Sequence, residues 1–249
     1  MLYIYTRDPH YTPVLGPSYR RQWGGVLSLV FLFLGLALIG QVVYPIVSWY
    51  AFALPGYSGA VVSPLASNFA PYNPAILSVL PTPVQAAETS ATSFKPSSWF
   101  PAAKPFTQEI NSDLKTYTIS IPKLKIDSTT VEIGGDNLKK SLVAWPTSAT
   151  PGDYGVNIIF GHSELPQFAS PDSFSGIFTH IMDLADGDTV YVDYDGVRYK
   201  YLVYDRQVVD PDNLSVLEQR FDDRYLSLIT CVPPGTIWKR GVVKARMSQ

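Results

Sequence analysis

Two apolar segments of the sequence each end on a side chain that can take part in acyl transfer. Residues 157–162 read Asn-Ile-Ile-Phe-Gly-His, and residues 227–231 read Ser-Leu-Ile-Thr-Cys, so His162 and Cys231 each follow a strand-forming run. Arg240 stands at the start of the last apolar run. A thiolate is a nucleophile, an imidazole moves protons, and a fixed cation stabilises an oxyanion. Together these residues predict a cysteine acyl-transfer site.

Each of these residues also has an ordinary structural explanation when it is considered alone. A cysteine after an apolar run is often a small buried hydrophobe, and a single histidine or arginine is commonly structural or solvated. The chain has one cysteine, which excludes an intrachain disulfide and leaves Cys231 as either core filler or a reactive group. The other histidines, His10 and His180, have no neighbouring partner pattern. The combination of three reactive side chains is therefore more informative than any one of them.

The pKa values of a histidine and cysteine pair set a requirement on such a site. Ordinary pKa values of about 6.5 and about 8.5 would hold only about one pair in a hundred as thiolate with imidazolium. The site must therefore react through this small fraction of charged pairs or increase that fraction. A positive charge on His162 or Arg240 close to Cys231 would lower the thiol pKa and enlarge the reactive fraction.

Short runs of β-branched and aromatic residues, separated by turn signals, fill the chain from about Thr116 onward. The predicted strands are residues 117–121, 130–133, 157–160, 189–194, 197–204, 206–209, 225–230 and 241–246. Asp195-Gly196 lies between two of them and predicts a hairpin. Short helices are predicted at residues 173–181 and 213–221. Many short strands with few helices predict a mainly β fold, a closed or nearly closed barrel.

A long uncharged stretch precedes this domain. No charged residue occurs between Arg21 and Glu88, and residues 26–43 are apolar apart from one serine and one glutamine. A helix over residues 23–44 would be roughly 33 Å long, against a hydrocarbon core of about 30 Å. The sequence therefore predicts one transmembrane helix, assigned to residues 23–50 with its interfacial aromatic side chains. A buried core helix and a cleaved signal peptide ending near Ala86 are the alternatives.

The distribution of basic residues predicts the orientation of this helix. Arg7, Arg20 and Arg21 precede it, whereas the first basic residue after it is Lys95. Residues 1–22 are therefore predicted to be cytoplasmic, and the domain at residues 116–249 to be extracytoplasmic.

Residues 51–115 connect the helix to the domain. This linker is rich in Pro, Ala and Ser and has no sustained apolar periodicity, which predicts an extended stalk. Aromatic residues return at 94–106, and packing of that part against the domain, as an appendage or lid, is an equally weighted alternative.

The composition also limits the function classes. The formal net charge is -2 and the Lys and Arg residues are scattered, so no basic stripe is present to neutralise a nucleic acid backbone. Structural zinc sites need several closely spaced Cys or His ligands, which this sequence lacks. We therefore predict neither a nucleic acid partner nor a metal or other cofactor.

The segment at 227–231 resembles the Thr-Leu-x-Thr-Cys signature of sortases, with Ser227 in place of the first Thr, and residues 157–162 are similar to the family's Asn-x-x-x-Gly-His strand. Arg240 stands where the family's characteristic arginine follows the cysteine. The resemblance extends over nearly all of residues 116–246 and includes Ile121-Pro122-Lys123-Leu124, Pro151-Gly152, Leu184 and Gly187-Asp188. An N-terminal membrane anchor followed by a stalk is similar to the family's usual layout.

Membership of the sortase family implies an eight-stranded β-barrel with short helices and a reaction on secreted proteins. The resemblance implies that Cys231 attacks the Thr carbonyl of a Leu-Pro-x-Thr-Gly-like sorting signal, that His162 is the general acid and base, and that Arg240 steadies substrate or oxyanion. An amine of a cell-wall precursor or another protein then resolves the thioacyl intermediate. Thr230 and Ser227 are predicted to contact the substrate.

Three further features of the sequence concern the choice of arginine, the sortase subclass and a calcium site. Arg246 lies an even number of residues after Arg240 on the same predicted strand, so strand alternation alone allows either arginine to face the cysteine. The family places its arginine at the start of this strand, which favours Arg240. The chain ends three residues after Arg246, which disfavours the pilus-polymerising sortases, since these often carry a C-terminal anchor. Some sortases bind calcium, but a solvated surface is the favoured interpretation of the candidate acids here, Glu132, Asp136, Asp222 and Asp223.

Two rival functions use other aspects of the same sequence. Another extracytoplasmic cysteine peptidase, or an enzyme like the L,D-transpeptidases, would use the same residue types, although the latter keep histidine much closer to cysteine. An inactive, membrane-anchored β-barrel that binds surface partners would need no reactive thiol. Rapid labelling of Cys231 that slows in His162→Ala would favour an enzyme over a binding module.

Overall fold

The computed structural model describes residues 19–57, 94–101, 103 and 115–248, with side chains from residue 26 onward. The chain divides into two compact units, the first ending at Tyr44 and the second beginning at Pro45. Most of the predicted cytoplasmic N-terminus, most of the predicted stalk and the alternative cleavage site near Ala86 lie outside the described residues.

An apolar helix occupies the N-terminal part of the described chain. It comprises α1 (Tyr19–Ser48), a π-helical stretch (Trp49–Ala53) and α2 (Leu54–Tyr57). Among the described residues, the segment Val26–Tyr57 is the one helix long and apolar enough to cross a membrane, judged by length and composition. The prediction of one long apolar N-terminal helix is therefore confirmed, and both membrane anchors and signal sequences have these properties.

Eight strands form a closed barrel after this helix, which confirms the predicted fold. In spatial order the barrel runs β1-β2-β3-β4-β7-β8-β6-β5. The strands are β1 (Thr116–Ile121), β2 (Ile126–Ile133), β3 (Leu142–Ala144), β4 (Gly155–Phe160), β5 (Thr189–Tyr194), β6 (Val197–Val209), β7 (Arg224–Val232) and β8 (Lys239–Met247). Closure leaves no sheet edge without a partner strand.

The structure corrects the predicted elements in three respects. Strand β3 was not predicted, because three residues are too short to show alternation. Strand β6 is continuous where two strands were expected, with an irregular register between Val203 and Asp205. Neither predicted helix forms: residues 173–181 are mainly turns that lead into a 3₁₀ segment at Ile181–Asp183, and residues 213–221 are irregular apart from a 3₁₀ segment at Leu214–Leu217.

Apolar side chains on the two faces of the strands form two separate clusters. The barrel interior contains, among others, Ile119, Leu228 and Val243. A second cluster covers the outer face of β4, β7 and β8, and there Trp99 and Phe100 pack over Phe160, Ile229 and Val242. Cys231 belongs to this outer cluster. The residues before the barrel therefore cover the strand face that carries the cysteine.

Candidate active site

Strand pairing brings His162 alongside Cys231. Strands β4 and β7 are parallel, and the register ends with Phe160 opposite Ile229. Two hydrogen bonds continue the same offset beyond β4, because the Gly161 amide donates to the Ile229 carbonyl at 3.1 Å and the Thr230 hydroxyl donates to the Gly161 carbonyl at 2.8 Å. His162 therefore lies on the row of Cys231, on segments about 4.8 Å apart.

Arg240 lies on the other side of Cys231 in the same row. Strands β7 and β8 are antiparallel, and their register places Cys231 directly opposite Arg240. The Cβ atoms of directly opposed residues lie about 5 Å apart on one face of a sheet. The structure thus brings together the three residues that the sequence singled out, on three neighbouring segments of the outer barrel face.

The imidazole of His162 is held in one orientation. Its Nδ1 contacts the carbonyl oxygen of Ser175, which can only accept a hydrogen bond, so the proton of the neutral ring belongs on Nδ1. The Phe94 ring stacks on the imidazole with 4.2 Å between centroids and 10° between planes. Nε2 is therefore the nitrogen able to accept a proton.

Gly161 gives the histidine segment its close approach to the barrel. A Cβ atom at this position would overlap the Phe178 ring and the Leu142 side chain. The Phe178 amide also donates to the His162 carbonyl at 3.0 Å. The glycine that precedes the histidine therefore allows the segment to pack directly on the turn that follows it.

The guanidinium of Arg240 is buried among carbonyl groups and aromatic rings. Arg240 is 5% exposed. Its Nη1 donates to the carbonyls of Ile237 at 2.9 Å and Lys239 at 3.2 Å, and its Nη2 donates to the Trp99 carbonyl at 2.9 Å. Within the described part of the chain, Nε has no hydrogen-bond partner. One donor of this cation is therefore buried and without a partner among the described residues.

Burial shifts both titrating groups toward their neutral forms. It raises the pKa of the Cys231 thiol to about 11, against the opposing effect of the Arg240 charge. It also holds the pKa of His162 below its ordinary value, although the Ser175 carbonyl opposes this. Both shifts favour the thiol with a neutral imidazole over the thiolate with imidazolium. The resting pair is a thiol and a neutral imidazole.

The raised pKa of Cys231 predicts a loss of folding stability in alkaline solution. The folded chain keeps the thiol proton between about pH 9 and about pH 11, whereas the unfolded chain loses it. The stabilisation is complete below about pH 9 and falls by about 3 kcal/mol as the pH rises through the folded pKa. The thermal unfolding temperature of the wild type should therefore fall more steeply than that of Cys231→Ala between pH 8 and pH 11. Parallel pH profiles would contradict the shift.

A cavity of about 670 Å³ opens beside His162 and Cys231. Apolar side chains make up most of its wall, including Phe94, Leu165, Phe168, Ile237 and Trp238. This volume lies within the range of about 300–1,000 Å³ that is typical of ligand sites. The cavity can therefore receive a short, largely apolar peptide next to the sulfur.

Thr230 and Ser227 lie deeper than a substrate contact requires. Thr230 is 1% exposed, and its hydroxyl donates to the Gly161 carbonyl, which joins the cysteine strand to the histidine segment. Ser227 is 2% exposed and lies about 13 Å along β7 from Cys231. A substrate contact by either residue remains a prediction, and these positions indicate a structural part for both.

The remaining candidates lie elsewhere. Arg246 is opposite Tyr225 and lies 3.4 Å from the Asp223 carboxylate. Asp136 accepts hydrogen bonds from Ser97, whereas Asp222 binds Arg220. Among the residues described, no group of three or more His, Cys, Asp or Glu side chains is arranged to hold a metal ion.

Sequence reasoning did not identify three groups that contact the row: Ser175, Phe94 and Trp99. Ser175 and Trp99 contribute backbone carbonyls, which carry no residue-type signal, so a sequence pattern could not have found them. The return of aromatic residues near position 94 was the available signal for the other contact.

Comparison with known proteins identifies the family of this fold. The sortase domain profile matches residues 119–248. No curated protein sequence matches the chain.

Among solved structures, the chain is similar to a Clostridium perfringens sortase D5 transpeptidase, with 24% identity, a TM-score of 0.47 and coverage of 57% of this chain and 83% of that one. It is similar to sortase C-1 from Actinomyces oris, with 25% identity, a TM-score of 0.49 and coverage of 57% and 77%. It is also similar to a lid mutant of sortase A from Corynebacterium diphtheriae, with 23% identity, a TM-score of 0.49 and coverage of 61% and 88%. These relatives carry three different subclass letters, so they do not determine a subclass.

The profile match covers more than half of the chain and coincides with the closed eight-stranded barrel. The chain therefore belongs to the sortase family, whose members are typically cysteine transpeptidases.

Proposed function

We propose that this chain is a membrane-anchored cysteine transpeptidase that cleaves a Leu-Pro-x-Thr-Gly-like sorting signal and transfers the acyl group to an amine of the cell envelope. The observation that carries this proposal is the single row of His162, Cys231 and Arg240 on adjacent segments. A nucleophile, a proton carrier and an oxyanion donor side by side are the groups that acyl transfer requires.

In the first half of the proposed reaction, the Cys231 sulfur attacks the Thr carbonyl carbon of the bound peptide. Nε2 of His162 accepts the thiol proton as the carbon–sulfur bond forms, because the resting thiol is protonated. The same nitrogen then gives this proton to the departing glycine amine as the carbon–nitrogen bond breaks. The product is a thioester between Cys231 and the new C-terminal Thr.

The negative charge that develops on the attacked oxygen needs a donor. Arg240 is suited to this role because its Nη groups are already held by carbonyl oxygens while Nε has no partner among the residues described. A donor held in advance costs no reorganisation when the oxyanion forms.

In the second half of the reaction, an amine attacks the thioester carbon. His162 accepts a proton from the amine and returns it to the departing sulfur, so the thiol and the neutral imidazole are restored. Water in place of the amine would give hydrolysis. The same row of side chains therefore serves both halves.

The apolar walls of the cavity favour a substrate with apolar residues on the N-terminal side of the cleaved bond. Leu165, Ile237 and Trp238 lie beside Cys231 in this cavity. Leucine and proline of a sorting signal would lose water-exposed apolar surface on binding there, which favours the complex.

The location proposed for the enzyme follows from its apolar helix and the charges around it. The segment Val26–Tyr57 would anchor the chain in the membrane. Basic residues precede the helix, and Lys95 is the first basic residue after it, which favours a cytoplasmic N-terminus and an extracytoplasmic barrel.

A direct test is to incubate the detergent-solubilised full chain with Leu-Pro-x-Thr-Gly and Leu-Ala-x-Thr-Gly peptides, with and without added amines. Mass analysis should detect a thioacyl adduct on Cys231, released glycine-containing product and, with amine present, the new amide. His162→Ala should form no adduct, whereas His180→Ala is the matched control because His180 is exposed and binds Asp183. Peptide cleavage without any adduct on Cys231 would contradict the mechanism.

A further inference from the structure

We propose that residues 94–100, which precede the barrel, are a working part of the active site because they hold the Arg240 guanidinium beside Cys231. In this proposal Trp99 is a positioning residue. The inference rests on the proposed function of Arg240 and Cys231, and it assigns a role to a segment that the sequence would equally allow as part of a stalk.

Arg240 is held partly by residues of this segment. A buried cation normally requires a carboxylate, yet the contacts described for this guanidinium are carbonyls and aromatic faces. Two of the three carbonyls belong to its own strand and the turn before it, and the third is that of Trp99. The guanidinium carbon also lies 5.4 Å from the Trp99 ring centroid and 5.9 Å from that of Phe100. Residues outside the barrel thus supply much of its environment.

The segment is itself firmly anchored on the barrel. Trp99 and Phe100 are almost fully buried, and their ring centroids lie 5.6 Å and 6.2 Å from that of Phe160. The Asp136 carboxylate accepts hydrogen bonds from the amide and the hydroxyl of Ser97, at 3.0 Å and 2.7 Å. Contacts at both ends of the segment hold the Trp99 carbonyl in a defined place.

The same segment also contacts His162. The Phe94 carbonyl accepts a hydrogen bond from the Leu138 amide at 2.9 Å, which places the Phe94 ring on His162. The Lys139 ammonium also lies over the Phe94 ring, 4.3 Å from its centroid. The segment therefore contacts two of the three residues in the row, His162 and Arg240.

These contacts link the segment to the rate of reaction rather than to folding alone. An arginine that loses one of three anchors gains rotational freedom, and a misplacement of about 1 Å can cost roughly 100-fold in rate. The Trp99 side chain acts by burying and orienting its own backbone carbonyl. A smaller side chain at position 99 should therefore release both the carbonyl and the ring face from Arg240.

The test compares Trp99→Ala, Trp99→Phe, Arg240→Ala and the double variant Trp99→Ala with Arg240→Ala, all in the full chain. The first measurement is the pH dependence of Cys231 alkylation by iodoacetamide, which needs no substrate and reports on the only cysteine. Because the Arg240 charge favours the thiolate, Trp99→Ala should move the profile to higher pH, toward that of Arg240→Ala. Trp99→Phe should retain the wild-type profile, and the double variant should match Arg240→Ala.

The second measurement is cleavage of a Leu-Pro-x-Thr-Gly peptide. Trp99→Ala should lower kcat by roughly 10- to 100-fold, while KM changes less than about threefold. In the Arg240→Ala background the same substitution should cost no further rate, because the residue through which Trp99 acts is already absent.

Asp136→Ala offers a milder way to loosen the segment if Trp99→Ala does not fold. It removes the acceptor of both Ser97 hydrogen bonds. Asp193→Ala is its matched control, because Asp193 binds Arg198 and lies on β5, which pairs with β1 and β6 and not with β7 or β8. Asp136→Ala should shift the alkylation profile in the direction of Arg240→Ala, and Asp193→Ala should not.

Two results would overturn the proposal. One is an unchanged alkylation profile in folded Trp99→Ala and Asp136→Ala. The other is a double variant whose loss in kcat is the product of the two single losses, which would mean that Trp99 acts independently of Arg240. Absence of peptide cleavage by the wild type would instead count against the proposed function, and the alkylation profiles would still decide the role of the segment.

Discussion

Replacing Cys231 with alanine is expected to reduce cleavage of a sorting-signal peptide to the uncatalysed background. The sulfur is the nucleophile of the proposed reaction, and no other cysteine exists in the chain to replace it. Because Cys231 is 3% exposed and lies in the outer apolar cluster, alanine fills the site with the loss of one sulfur atom and keeps the barrel folded. Peptide cleavage followed by mass analysis, together with thermal unfolding, measures both parts of this expectation.

Cys231→Ser is the closest control, since it retains the size of the side chain and a weaker nucleophile. It should also fail to accumulate an acyl adduct under the conditions in which the wild type does. Turnover that persists in folded Cys231→Ala would refute the assignment of the nucleophile and favour a reaction elsewhere on the barrel.

Replacing Arg240 with alanine is expected to lower kcat by about 10² to 10³, the range found when an oxyanion donor is removed. Arg240 is directly opposite Cys231, and its Nε is the donor without a partner in the described chain. Arg240→Lys should recover little of the rate, because an ammonium cannot reproduce the bonds of Nη1 and Nη2 while offering a further donor.

Arg246→Ala is the matched control for this experiment. Arg246 lies on the same strand with the same parity, but it is opposite Tyr225, and its exposed side chain pairs with Asp223. Its replacement should leave kcat within about twofold of the wild type, as expected for an exposed ion pair. A larger loss in Arg246→Ala than in Arg240→Ala would reverse the choice between the two arginines. Thermal unfolding must accompany both variants, since Arg240→Ala leaves three buried carbonyls without their donor.

The placement of His162, Cys231 and Arg240 could be predicted only in part from the sequence. Each residue ends or begins an apolar run, which indicated strand ends, and strand ends hold side chains rigidly. The distance between the runs, however, depends on which strands are neighbours, and β4 pairs with β7 across 69 positions of chain. Such long-range pairing depends on the whole barrel, so local patterns do not reveal it.

Register also decided between the two arginines where periodicity could not. Alternation places Arg240 and Arg246 on one face, and the antiparallel register then assigns Cys231 to the first of them. Local patterns failed similarly for the predicted helix at 173–181. There, the Phe178 amide bonds to the His162 carbonyl instead of a helical partner, so tertiary contacts replaced the local preference.

The segment at 94–100 had two interpretations in the sequence, part of a stalk or an appendage on the domain. Composition left both open, because Pro and Ser, which are typical of a stalk, surround aromatic residues, which are typical of a packed segment. The structure places Trp99 and Phe100 in the outer cluster, and their packing partners lie far along the chain in β4 and β8. Burial by distant strands leaves no trace in the composition of the segment itself.

The burial of Cys231 has a consequence for the lifetime of the protein. Peroxides and disulfides react with thiolates far faster than with protonated thiols, and access to the sulfur limits both reactions. Outside the membrane, the proposed location, oxidising conditions prevail and the chain has no second cysteine to rescue a sulfenic acid as an internal disulfide. A sulfur that stays protonated and almost fully buried in the outer apolar cluster is thereby shielded from irreversible oxidation.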